Sequence, residues 1–153
     1  MDKATPFCLG GSPMTTRAEP WMPTSGRSVK LQPAGRAWDV VRVPVFIDIG
    51  KRVLDLLSEA TGAVIENPID RVLYWLIEPG AATSWDMSLL PSVQVWGTTA
   101  YIEVPPADIE TGPGVRWLVP LRHDRYLTDP TVLLAALRTA TREALGPREE
   151  VPQ

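Results

Sequence analysis

The sequence predicts an α+β fold, a mixed or antiparallel sheet in the order β-α-β-β-β-β-β-α with helices packed on it. Three observations carry this. Short β-branched runs closed by Pro or Gly recur through the middle of the chain. Two stretches, 48–60 and 129–146, instead space their apolar residues at helical intervals. No internal repeat is visible, and 153 residues is the size of one domain. We divide the chain into a Pro/Gly-rich lead-in at 1–35, a single domain at 36–146 and a frayed tail at 147–153.

The lead-in carries Pro6, Pro13, Pro20, Pro23 and Pro33 without a hydrophobic period, which reads as disorder. Trp21 and Met22 read there first as an incidental apolar pair and second as a docking motif, and Met14 offers a second start as plausible as Met1. Residues 37–43, AWDVVRV, alternate and are β-branched, so they form a strand ending at Pro44. Next come Ile49, Val53, Leu56, Leu57 and Ala60, the apolar face of a helix with Asp48 as N-cap and Gly62 as its stop. Its Lys51, Arg52, Asp55 and Glu59 make the solvated side.

Residues 63–66 are a short strand, and Asn67-Pro68-Ile69-Asp70 a turn. The run 72–77, VLYWLI, is apolar on both faces and belongs at the centre of the sheet. Residues 81–90 are irregular or a short helix, with Trp85 against the sheet edge. Residues 93–96 and 99–104 read as two strands paired through a turn at Gly97-Thr98 and closed by Pro105-Pro106. A last strand follows at 115–119. The final helix is the plainest: Asp129 caps it, Pro130 suits its first position, and Gly146-Pro147 ends it. Leu133, Ala136, Leu137, Ala140 and Ala144 form its apolar stripe.

Composition excludes several classes. One cysteine, Cys8, allows no internal disulfide and no multi-Cys zinc site, and it has no base partner for nucleophilic chemistry. With no secretory signal visible, a reducing cytoplasm is the expectation, and no apolar run approaches membrane-span length. Twelve Arg against Lys3, Lys30 and Lys51 fits a GC-rich bacterial genome. A net charge of −3 without a basic run argues against nonspecific nucleic-acid binding. His123 is the single histidine, too little for a His-based metal site or triad.

Taken in order, GRAWDVVRVP, VLYWLI followed by EPG, VQVWGTTAYIEVPP and VRWLVP resemble the bifunctional DNA primase/polymerase N-terminal (prim-pol) family of the archaeo-eukaryotic primase superfamily. The resemblance covers roughly residues 35–120. It implies two-metal nucleotidyl transfer, in which an Asp-x-Asp pair and a later Asp hold the cations and a histidine contacts the nucleotide. Hard divalent cations require such oxygen ligands. On this chain the Asp-x-Asp falls at Arg42-Val43-Pro44, the histidine at Val72 and the third Asp at Gln94. Every expected catalytic position is substituted, and Arg42 would repel a cation. The family's front part is missing as well. The resemblance thus implies the back portion of a prim-pol domain with no catalytic residue, metal ligand or cofactor.

It also implies that one sheet face, the family's nucleotide cleft, displays Trp38, Arg42, Tyr74, Gln94 and Trp96 beside Val72. That face either still stacks a base or single strand or fills the space left by the missing front part. Arg116, Arg122, His123 and Arg125 form a basic loop, a conceivable phosphate site amid Asp124 and Asp129, read first as solvated. Glu66, Glu78 and Glu103 lie near strand ends with no spacing that forces them together. Three functional expectations follow. The first is a non-catalytic accessory module binding a protein partner or a second copy through its sheet face or edge. The second is a remnant that weakly binds nucleotides or single strands. The third is a metal-dependent enzyme built on Asp39, Asp48 or Glu103.

Overall fold

The computed structural model describes residues 21–23, 26, 29–45, 48–122 and 125–146. Its strands are β1 (Lys30–Pro33), β2 (Asp39–Pro44), β3 (Val64–Asn67), β4 (Val72–Ile77), β5 (Gln94–Trp96), β6 (Tyr101–Val104) and β7 (Arg116–Val119). Its helices are α1 (Ile49–Leu57) and α2 (Pro130–Leu145), with 3₁₀ turns at Ser58–Ala60 and Met87–Leu89. Five strands form an antiparallel sheet in the order β5-β2-β4-β3-β7, while β1 and β6 form a separate two-stranded antiparallel ribbon. The α+β class stands, and the sheet is antiparallel throughout.

β4 is central and buried at every position, because both faces of the sheet are covered. Side chains alternate across a strand. Leu73, Trp75 and Ile77 therefore enter a core shared with α1 and α2, and Val72, Tyr74 and Leu76 enter a second core under the ribbon. Trp85 is buried on the helix side. In α2 the Asp129 carboxylate accepts from the backbone N–H of Thr131 and Val132 at 2.8 and 3.4 Å, and Gly146 closes the helix at φ 87°. Leu133, Ala136, Leu137 and Ala140 are buried. Ala144 is exposed, and Thr141 takes the buried position instead.

Several expectations are corrected. Residues 93–104 are not a hairpin: β5 pairs with β2 and β6 with β1. A turn in which Ala100 N–H donates to the Gly97 carbonyl, with Thr99 at φ 83°, carries the chain out of the sheet and into the ribbon. The exit lets Ile102 and Val104 be buried under the second face. Nor is the described part of the lead-in disordered. Lys30–Pro33 is β1, held by β6 from far along the chain, and Trp21 and Met22 are buried in the ribbon-side core. Residues 1–20, with Cys8, and 147–153 lie outside the described residues.

Asp48 occupies the N-cap position of α1 in a left-handed conformation (φ 64°) without a side-chain cap bond. The helix stops at Ser58 (φ 51°) rather than at Gly62. Gly62 serves a close approach instead, since a Cβ there would stand 2.7 Å from the Tyr126 carbonyl oxygen. Leu56 and Ala60 are exposed. Arg52 on the solvated side bridges to Glu143 of α2 at 2.8 and 3.3 Å.

Candidate functional site

The face assigned to a nucleotide cleft is mostly filled. Trp38 is 0% exposed and Tyr74 5%. They lie in one cluster with Val40, Val72, Leu76, Ile102, Val104 and Trp117, so the ribbon covers them. Trp21 seals the end, packed edge-on to Trp38 (centroids 5.5 Å, 81°) and tilted against Tyr126 (5.2 Å, 59°). Burial of Trp21 and Met22 overturns their reading as an incidental pair, which rested only on their apolar character within a polar stretch. Both Trp21 Nε1 and Trp38 Nε1 are buried without an acceptor, each at a cost of about 1–3 kcal/mol. Apolar burial drives this docking, and it leaves the ring of Trp38 no free face for a base.

What stays open is the border of that face at the β5 edge. Arg42 stands directly opposite Gln94 on β5 and Tyr74 on β4, so the three share one side of the sheet. The guanidinium carbon lies 5.4 Å from the Trp96 ring centroid, a cation–π distance. Tyr74 and Trp96 rings are 5.9 Å apart and tilted by 44°. Trp96 Nε1 donates to Gln94 Oε1 at 3.2 Å, which leaves the Gln94 amide NH₂ to donate elsewhere. Arg42 and Trp96 are half-buried and Gln94 is exposed. Arg42 Nε is buried without an acceptor, and among the described residues no carboxylate pairs with this guanidinium. Of the five expected face residues, then, Trp38 and Tyr74 belong to the core, while Arg42, Gln94 and Trp96 form a small surface group rich in donors.

The alternative carboxylates do not converge. Asp39 begins β2 on the opposite side of the strand from Arg42, as alternation requires. It is buried, its Oδ2 accepts from Gly80 N–H at 2.9 Å, and its Oδ1 has no partner. Gly97 lies close above it: a Cβ there would sit 3.3 Å from Oδ1. Asp48 lies beyond the other end of β2, and Glu103 is exposed on the ribbon. Among the described residues no group of three or more His, Cys, Asp or Glu side chains comes together.

The basic loop is divided by β7. Arg116, at its start, is held by Glu66 at 2.9 and 3.2 Å and by the Gly112 carbonyl. Arg122 and Arg125 lie past its end, beside a cavity of about 540 Å³ that Ser58, Glu59, Thr61 and Gly62 also line. Arg125 donates to the Glu59 carbonyl, so it ties down the turn that follows α1. His123 and Asp124 lie outside the described residues. The resolved carboxylate shifts fall on other groups. Asp86 is held below its usual range by the Ser88 hydroxyl and N–H, and Glu143 by the Arg52 guanidinium.

No helix among the described residues is long and apolar enough to cross a membrane. Compared with protein-family models, curated proteins and solved structures, the chain matches none.

Proposed function

We propose that this chain is a non-catalytic accessory module, related to primase/polymerase domains by the resemblance described above, that works by binding a protein partner or a second copy of itself. One observation carries the reading: the face that would be the nucleotide cleft is filled by Trp38 and Tyr74 and covered by Trp21 and the ribbon. A filled face has no volume for a triphosphate. The positions aligned with the family's metal ligands hold Arg42, Pro44 and Gln94, which offer a cation and an amide where carboxylates are needed.

The frame meanwhile presents surface suited to association. Leu31, Pro33, Tyr101 and Glu103 share the outer side of the ribbon, with Leu31 65% and Tyr101 59% exposed. Exposed apolar side chains grouped in this way mark contact surfaces. A second reading, a nucleotide- or single-strand-binding remnant, draws on the Arg42–Trp96 stack at the open border.

The test is primer synthesis by the purified chain on a single-stranded template with nucleoside triphosphates and Mg²⁺ or Mn²⁺. No product above a chain-free control is expected. A metal-dependent product overturns the reading.

A further inference from the structure

We infer that the β5 edge, with Arg42 behind it, is a docking site for an extended acidic peptide segment that adds to the sheet as a further strand. The inference rests on the interaction-module reading and names the chemistry of the partner.

β5 is the end strand of the five-stranded sheet, paired to β2 alone among the described residues. Among the described residues no strand pairs with its outer side, the side that strand addition uses. At three residues it is a short edge. Backbone pairing alone would be weak there, and specificity must come from side chains.

Those side chains are matched to an anion. Arg42 stands opposite Gln94, one strand in from the edge and on the same side. An added strand would place its own residue opposite Gln94 on that side too, within reach of a long guanidinium. Arg42 has no carboxylate partner among the described residues, its Nε lacks an acceptor, and the Gln94 NH₂ is left over by the bond from Trp96. The group offers chiefly donors, since the Gln94 Oε1 already accepts from Trp96. A Glu or Asp carboxylate accepts from both, in a charge-assisted bond at a half-buried site where screening is reduced.

A peptide fits better than a nucleobase. Trp96 is already engaged by Arg42 and by Tyr74, so its ring is not a vacant stacking platform. Free strand edge gives a peptide backbone what a nucleotide cannot use.

The test uses the full chain and a labelled, end-blocked peptide alternating Glu with Val, against the same peptide carrying Gln for Glu, read by fluorescence anisotropy. The Glu peptide is expected to bind about tenfold or more tightly than the Gln peptide, the increment of one charge-assisted bond. Arg42→Gln should abolish that preference. Gln94→Glu should abolish it as well while raising Tm, because it supplies Arg42 with an internal carboxylate; the higher Tm shows that the fold is kept. Ile69→Gln in the exposed turn before β4 should leave it intact. Equal binding of the two peptides, or none at millimolar concentration, overturns the inference but leaves the module reading standing. Arg42-dependent displacement of the Glu peptide by ATP also overturns it, and in that case supports the nucleotide-binding reading.

Discussion

At the scale of single residues, Trp38 and Asp39 are neighbours with opposite fates. Trp38 points under the ribbon and is enclosed; Asp39 points the other way and binds the Gly80 N–H. Trp38→Ala should cost about 3–5 kcal/mol, as for other fully buried large aromatics, read from chemical denaturation. A ligand platform would instead lose binding with little loss of stability. Asp39→Ala leaves the Gly80 N–H without its acceptor and should cost about 1–3 kcal/mol. Asp39→Asn keeps an acceptor for that N–H, so it should retain stability close to the unsubstituted chain. Were Asp39 a metal ligand, Mg²⁺ would raise Tm of the unsubstituted chain and not of the Asn variant. Neither Tm is expected to move.

Among the elements, those written in local signals were legible. α2 carries its cap, first-turn proline and terminal glycine in the sequence, and the structure places Asp129, Pro130 and Gly146 in those roles. Asp129→Ala should cost about 1 kcal/mol, measured as a shift in denaturation midpoint. β4 was legible because an apolar run of six residues between turn signals is strand-sized and fits a strand covered on both faces. β1 was not: KLQP has no β pattern of its own, and its strand exists through pairing with β6. The same non-local choice undid the hairpin at 93–104, since the turn beside Gly97 hides which strand each arm will meet.

The two helices are also joined by an electrostatic link with a readable pH dependence. The hydrogen bond and charge of Arg52 hold Glu143 below the ordinary carboxylate value. A depressed folded-state pKa adds stability above the unfolded value, about 4.3 for Glu. That contribution is lost as pH falls through the folded value. Glu143→Gln should therefore lower Tm slightly at neutral pH, leave it unchanged in strong acid, and lose its effect in high salt because the pair is exposed.

For the whole molecule, the architecture is one sheet between two covers, helices on one side and a β ribbon on the other. The aromatic face was readable as a pattern at Trp38, Tyr74 and Trp96, yet whether it is cleft or core depends on what covers it. The covering pieces, Trp21 and β1, lie in the stretch with the fewest sequence signals. Of the face residues named from the sequence, Arg42, Gln94 and Trp96 are brought together at the β5 border, outside the fully buried cluster. Their chemistry, donors without an acceptor, became visible only with the register of β2 against β5.

The central claim is that the ribbon-side face is a packed interior and not a nucleotide cleft. Tryptophan fluorescence during titration with nucleoside triphosphates, with and without Mn²⁺, tests it most directly, since Trp21, Trp38 and Trp117 all report from that face. The expected result is no saturable change up to millimolar nucleotide in either condition. Saturable, Mn²⁺-dependent quenching would contradict the claim, because a nucleotide and its metal would then occupy space that the packing of Trp38 and Tyr74 denies them.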